Sequence, residues 1–269
     1  MKLLDELLVQ PGQAPHLARR DPGARLGAES KSDGLDRLAK LVERLSVLHG
    51  RLYAESKRAV LLVLQGMDAS GKDGVIRTVF TGVNPQGCRV EAFKAPTSEE
   101  LAHDFLWRVH ARLPARGEIG IFNRSHYEDV VAVRVRKLAD ENVWSKRSTH
   151  IVAFERLLTD EGTSVVKVFL HESKDAQRKR LQDRIDDPEK RWKFRLGDLD
   201  DRAKWDEFQT AYEDVIRETS TEDAPWYVVP ADHNWSRNLC VAEILVDVLE
   251  RLDPKIPPAD PGVDGLVIA

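Results

Sequence analysis

Five consecutive apolar residues, Val60-Leu61-Leu62-Val63-Leu64, run almost directly into Gly66-Met67-Asp68-Ala69-Ser70-Gly71-Lys72-Asp73. A strand apolar on both faces has to be covered on both faces, the condition of a parallel sheet flanked by helices. The glycine-framed stretch fits G-x-x-x-x-G-K, and it lies after a strand and before a helical pattern, the context in which that motif cradles phosphate. Gly66, Ala69, Ser70 and Gly71 let backbone N–H groups turn inward around an anion, and the helix N-terminus that follows adds positive partial charge. Lys72 supplies a mobile full charge for the distal phosphates of a ligand. Asp73 stands where Ser or Thr holds Mg²⁺ in common loops of this kind. A carboxylate beside a polyanion is repelled unless a cation lies between them, so Asp68 is expected on the metal side. Asp73 has two readings, a second metal-side carboxylate or a first-turn acid answering the helix macrodipole.

Strand and helix patterns alternate along the chain. Leu35, Leu38, Leu41, Val42, Leu45, Leu48 and Leu52 form one apolar stripe ahead of the first strand. Cys88 to Phe93 reads as a second strand, followed by capping-box spacing at Thr97-Ser98-Glu99-Glu100 and a helix marked by Leu101, Ala102, Phe105 and Val109. Ile119 to Phe122, Val165 to Leu170 and Trp226 to Val229 read as three more strands, with a last helix bearing Leu239, Ile244, Leu245, Val248 and Leu249. The expected fold class is α/β, a parallel five-stranded sheet covered on both faces. Residues 1–34 lack periodicity and are expected as a flexible arm. Residues 35–253 read as one domain, and the Pro-rich segment 254–269 as an irregular tail.

Composition narrows the partners. A chain of 269 residues, 42% hydrophobic, can bury a sizeable core. No apolar run approaches the ~20 residues of a membrane span, and Asp5 and Glu6 do not suit a secretory signal. Cys88 and Cys240 support neither a disulfide framework nor a zinc site. A cytoplasmic setting without membrane contact is expected. The formal net charge of -4 speaks against a general nucleic-acid binder.

Charge is nonetheless uneven. Between Lys174 and Arg195 stand nine basic and five acidic residues, with Ser173 placed to cap a helix. Arg180 and Arg184 share one helical face, and Leu181 and Ile185 the adjacent one, so the helix can pack one edge and offer guanidinium groups from another. Arg178, Arg184, Lys190 and Arg191 are further candidates for a polyanion, and Trp192 reads as a packing anchor. A second cluster, Asn123-Arg124-Ser125-His126-Tyr127-Glu128-Asp129, follows the third strand and is expected to face the same crevice as the phosphate loop. Ser125 beside His126 is not a nucleophile and base, because adjacent residues do not face each other on a helix or strand and no G-x-S-x-G frames the serine.

Taken together these blocks resemble polyphosphate kinase family 2. The resemblance rests on Gly66 to Gly74, Val83-Asn84-Pro85-Gln86-Gly87-Cys88-Arg89-Val90, Phe93-Lys94-Ala95-Pro96, Phe122 to Asp129, Asp187-Pro188-Glu189-Lys190-Arg191-Trp192-Lys193-Phe194 and Ala224-Pro225-Trp226-Tyr227. It implies a three-layer α/β/α P-loop kinase similar to thymidylate kinase, with a mobile helical lid over roughly 174–205. It implies Mg²⁺-dependent phosphoryl transfer, Mn²⁺ being an alternative ion, between inorganic polyphosphate and AMP, ADP or ATP in a homo-oligomer. Asp68, Lys72 and Arg124 become the catalytic candidates, and Asn84, Lys94 and Glu128 the nucleotide-side ones. Many members carry Asp where this chain has Asn123, so metal binding leans on Asp68. Glu128, where diphosphate-specific members tend to carry Asn, implies AMP and ADP as acceptors. Two other readings stay open, an ATP-dependent nucleoside monophosphate kinase and a non-catalytic phosphate-binding module.

Overall fold

The computed structural model describes residues 2–268. The chain runs through α1 (Lys2–Leu7), β1 (Leu8–Val9), α2 (Lys31–Glu55), β2 (Ala59–Gln65), α3 (Lys72–Val79), β3 (Cys88–Ala92), α4 (Ser98–Leu101) and α5 (Trp107–His110). It continues through β4 (Ile119–Asn123), α6 (Glu128–Val135), α7 (Glu141–Trp144), α8 (Arg147–Asp160), β5 (Thr163–His171), α9 (Lys174–Asp186), α10 (Gly197–Ala203), α11 (Trp205–Thr219), β6 (Trp226–Pro230) and α12 (Asn234–Leu252). The sheet order is β1-β6-β5-β2-β4-β3, with β2 at the centre and parallel to both β4 and β5.

Alternation along β2 explains the layers. Val60, Leu62 and Leu64 point into a core shared with α2, α3 and α12, while Leu61 and Val63 point into one shared with α6, α8 and α11. Successive strand side chains face opposite sides, so an apolar residue at every position is what two helical layers demand. Ser30 caps α2 by accepting from the Asp33 N–H (3.1 Å), so the helix begins at Lys31, ahead of the expected Leu35. Thr97 and Glu100 form the capping box. The single amphipathic helix expected through Val109 is instead two short helices, α4 and α5, separated by a turn around Asp104.

The five parallel strands carry a sixth, and this corrects the reading of residues 1–34 as a flexible arm. Leu8 and Val9 pair antiparallel with Tyr227 and Trp226 at the sheet edge. Leu7, Val9 and Leu17 are buried, and the Arg20 guanidinium donates to the carbonyls of Glu6 (2.6 Å) and Pro15 (2.9 Å). Glu213 of α11 accepts from the His16 and Leu17 N–H groups. All these partners are distant in sequence or backbone groups, which no periodicity records. Beyond Asp253 the described tail has neither helix nor strand and is largely exposed. Among the described residues no helix is long and apolar enough to cross a membrane.

Candidate active site

The phosphate loop joins β2 to α3 at the carboxyl end of the sheet, where open parallel folds bind ligands. Gly66 and Gly71 adopt φ of 146° and 97°, conformations open to glycine but strained for other residues, and Ala69 sits at 70° between them. Every carbonyl from Gly66 to Ser70 accepts from a side chain. Lys72 Nζ donates to Gly66 O (2.8 Å) and Met67 O (3.1 Å), and Gln177 Nε2 to Asp68 O (3.0 Å). Arg180 Nη1 donates to Ala69 O (3.2 Å) and Arg237 Nη1 to Ser70 O (3.3 Å). With the carbonyls engaged, amides of the loop and of the first turn of α3 are left for an anion.

Arg237 was not legible as a site residue. It lies on α12, buried, against the two glycines that frame Lys72: a Cβ at Gly71 would collide with its guanidinium, and one at Gly74 would come within 2.9 Å of Nη2. Glycine at 71 is thus required twice, by its φ and by the arginine beneath it. The available signal is the polar run Ser236-Arg237-Asn238 opening a helix that is otherwise apolar on its core face.

Lys72 and Arg124 meet in one cleft. The Arg124 N–H bonds Leu64 O (3.1 Å) as β4 leaves the ladder with β2, and Arg124 then turns to a φ of 62°, uncommon for a non-glycine residue. Its guanidinium pairs with Asp68 through Nη2 and with Glu128 Oε2 through Nη1 (3.0 Å). Burial alone raises the Asp68 carboxyl, but the charges of Arg124, Lys72 and Arg184 outweigh it and hold the group below the ordinary range. Lys72 is driven down to about 8, by burial first and by Arg124 second, against Asp68, Glu128 and Glu172. Gln65, at the end of β2, ties the cluster together: its amide nitrogen donates to Glu128 Oε1 (2.9 Å) and its oxygen accepts from the Ser125 N–H (3.1 Å).

Ser125 and His126 are fully buried, their side chains turned to Gln65 (3.0 Å) and Glu155 (3.4 Å) respectively. Below them Lys167, buried in β5, donates to Glu155 Oε2 (2.5 Å), Thr219 O (2.6 Å) and Tyr127 O–H (3.2 Å). A buried charge this thoroughly paired fixes the base of the segment that presents Arg124 and Glu128.

The other predicted residues divide. Asp73 accepts from Asn123 Nδ2 (2.7 Å), which puts it on the cleft side of α3. Arg184 points toward Asp198 (3.7 Å), a buried carboxyl raised by that burial and by the Asp68 charge. Asn84 caps a short turn through the Gln86 N–H, and the exposed Lys94 contributes its carbonyl to Arg108 (2.8 Å). Arg178, Lys190 and Arg191 are exposed on α9 and the following turn, apart from the loop. Arg180 does not project into solvent as a free lid residue. It is locked between Ala69 O, Glu172 Oε2 (3.1 Å), Ala231 O (2.5 Å) and Asp232 O (3.0 Å), so it shapes the loop. Trp192 is no packing anchor: it is 77% exposed, and its contact is the Lys193 ammonium over its ring.

The family model for polyphosphate kinase 2 matches residues 28–257. A relative from Meiothermus ruber, an AMP/ADP-polyphosphate phosphotransferase, is 56% identical over 97% of this chain and 98% of its own length. An ADP-polyphosphate phosphotransferase from Rhodopseudomonas palustris is 49% identical over 87% of this chain and 85% of that one. The crystal structure of polyphosphate kinase 2 from Arthrobacter aurescens TC1 superposes with a TM-score of 0.92 at 44% identity, covering 96% of this chain and 92% of that one. With its phosphate loop, its Arg124–Glu128 segment and these matches along nearly the whole length, the chain belongs to the polyphosphate kinase 2 family.

Proposed function

We propose that this chain transfers phosphoryl groups from inorganic polyphosphate to AMP and to ADP, reversibly. The observation that carries the reading is the single cleft in which Lys72, Asp68, Arg124 and Glu128 meet over the phosphate loop. An acceptor phosphate is already anionic near neutral pH, so the task is alignment and the relief of repulsion between two polyanions. The loop amides hold the donor. Lys72, whose ammonium is engaged with loop carbonyls before substrate arrives, exchanges those bonds for phosphate oxygens and follows the charge that develops on the transferred group. Arg124, oriented by two carboxylates, presents its planar fork to the same group or to the acceptor. Glu128 adds negative charge beside Arg124, and the Meiothermus ruber relative is named for both AMP and ADP.

The donor set suits Mg²⁺. Asp68 and Asp73 are hard oxygen donors flanking the loop, while no cluster of three or more His, Cys, Asp or Glu side chains forms a metal cage among the described residues. One or two carboxylates completed by substrate phosphates is how Mg²⁺ is commonly held. Asp68 and, through its contact with Asn123, Asp73 would hold the ion, which would neutralise phosphate charge. The two unpaired cysteines suit a cytoplasmic protein, and a homo-oligomer without nucleic-acid contact completes the reading.

Purified protein with polyphosphate, Mg²⁺ and AMP should yield ADP and then ATP with no nucleoside triphosphate added. Product that appears only with ATP as donor would assign the chain to conventional nucleoside monophosphate kinases. Binding without turnover would make it a phosphate-sensing module.

A further inference from the structure

Lys94 and Glu128, two of the nucleotide-side candidates, stand on different elements, and one buried side chain joins their backbones. Arg108 of α5 is 7% exposed. Its Nη1 donates to Lys94 O (2.8 Å). Its Nη2 donates to Asp129 Oδ2 (3.1 Å), on the residue that follows Glu128 in the first turn of α6. The guanidinium also lies over the Phe93 ring, 5.5 Å from its centroid, and that ring meets Phe122 of β4 edge-on at 4.8 Å.

The two ends of this bridge are not equally fixed. β3 pairs with β4 as far as Ala92, opposite Asn123, and the Phe93 N–H adds one more bond to Asn123 O (3.2 Å). Residues 94–96 then leave the ladder and run to the capping box at Thr97. Among the described residues, the bond from Arg108 is the one hydrogen bond that their backbone makes. Asp129, by contrast, is held from a second side. Arg147 Nη1 donates to Asp129 O (2.6 Å) and comes within 3.9 Å of Oδ1, with its own guanidinium over the Phe105 ring (4.9 Å). α6 is therefore the anchored end, and the Lys94 segment is the end that Arg108 places. A planar guanidinium holds a carbonyl and a carboxylate in one fixed fork, and a lysine ammonium, a compact point charge, lacks that fork. Burial strengthens both bonds and makes their loss costly.

We infer that Arg108 is a positioning residue for the acceptor nucleotide: by tying the Lys94 segment to the helix that carries Glu128, it sets the distance between two side chains that flank the acceptor. The inference rests on AMP and ADP being the acceptors. Arg108 makes no hydrogen bond or ion pair to the phosphate loop, so its loss is felt by the acceptor and not by the donor.

Initial rates with AMP varied at saturating polyphosphate, and with polyphosphate varied at saturating AMP, test this in R108K, K94Q and R108K/K94Q. R108K keeps a charge opposite Asp129 and gives up the fork. R108K and K94Q should each raise KM for AMP about threefold, the scale of one exposed ion contact, and leave KM for polyphosphate within about twofold of the wild type. The double variant should also stand at about threefold, rather than at the product of about ninefold, because both changes remove the same placement. An unchanged KM for AMP in R108K or in K94Q overturns the inference. So does an equal rise in both KM values, the mark of a general loss of structure, and so does the ninefold product. Should R108K fail to fold, R108Q/D129N takes its place under the same expectations, since it removes both buried charges together. A wild-type protein that makes no ADP from polyphosphate and AMP removes the polyphosphate reading itself, a separate result.

Discussion

Arg180 and Arg178 lie two residues apart on the same helix, in the same basic run, and do opposite work. Arg180 spends its donors on the carbonyls of Ala69, Ala231 and Asp232 and on the buried Glu172. Arg178 stands in water with the exposed Asp175 3.9 Å away. The same contrast separates the surroundings of the phosphate loop from the segment 187–195. Arg237 and Gln177 hold carbonyls of the loop, while Lys190 pairs with its neighbour Asp187 and Trp192 lies open. A cation whose donors are all used by backbone acts by fixing the loop's shape. One left solvated is free to meet a substrate, but each such contact is weak. Positive charge along a sequence therefore does not measure how much of it reaches the ligand.

The sharpest division comes from Lys72→Ala, which should cut kcat at least ~100-fold, the scale of losing one electrostatic contact to a transition state. Near-normal turnover would remove Lys72 from the chemistry. In the wild type the free-enzyme ammonium titrates near 8, so kcat/KM for polyphosphate should fall as pH rises through that value. The proton is present below it and lost above it, and the bound polyanion should hold it in place, leaving kcat flatter than kcat/KM. A kcat/KM that keeps rising through pH 9 contradicts that sign.

Next in size is the clamp. Arg237→Ala strips a buried donor from Ser70 O and should cost about 1–3 kcal/mol of stability together with about tenfold in kcat. Thermal unfolding and turnover report the two effects separately. A lowered Tm with wild-type kcat would reduce Arg237 to a structural residue and blur the distinction between the two classes of arginine.

Glu128→Asn should shift the ratio of kcat/KM for ADP over AMP about fivefold toward ADP, since a charged partner of Arg124 is exchanged for a neutral one. An unaltered ratio in acceptor competition would take Glu128 out of specificity. The smallest effect belongs to Arg178→Gln, about twofold in KM for polyphosphate with no change in Tm, as for one exposed ion contact. A marked drop in Tm would show that Arg178 is not the solvated counterpart it is drawn as.

Much of the site was legible because its signals are local. Gly66 to Lys72 must be contiguous for a loop to wrap an anion. Arg124 to Glu128 follows an apolar strand, and that strand lies beside β2. The sheet was legible because alternation and apolar runs report burial directly. The arm was misread for the converse reason: Leu7, Val9 and Leu17 are held by partners such as Trp226 and Glu213, more than a hundred residues away, and leave no period. Trp192 was misread because an aromatic among cations looks the same in sequence whether packed or exposed.

By itself the sequence determined the covered parallel sheet, the anion cradle and the second cluster beside it, since each follows from residues adjacent along the chain. Tertiary structure alone decided which cations serve the loop and which remain free. That choice depends on where α9, α12 and the arm come to rest against the carboxyl end of the sheet, and on which buried carbonyls then lack a donor. A guanidinium goes to the carbonyl that burial has left unpaired, because an unmade hydrogen bond there costs more than an exposed ion pair returns.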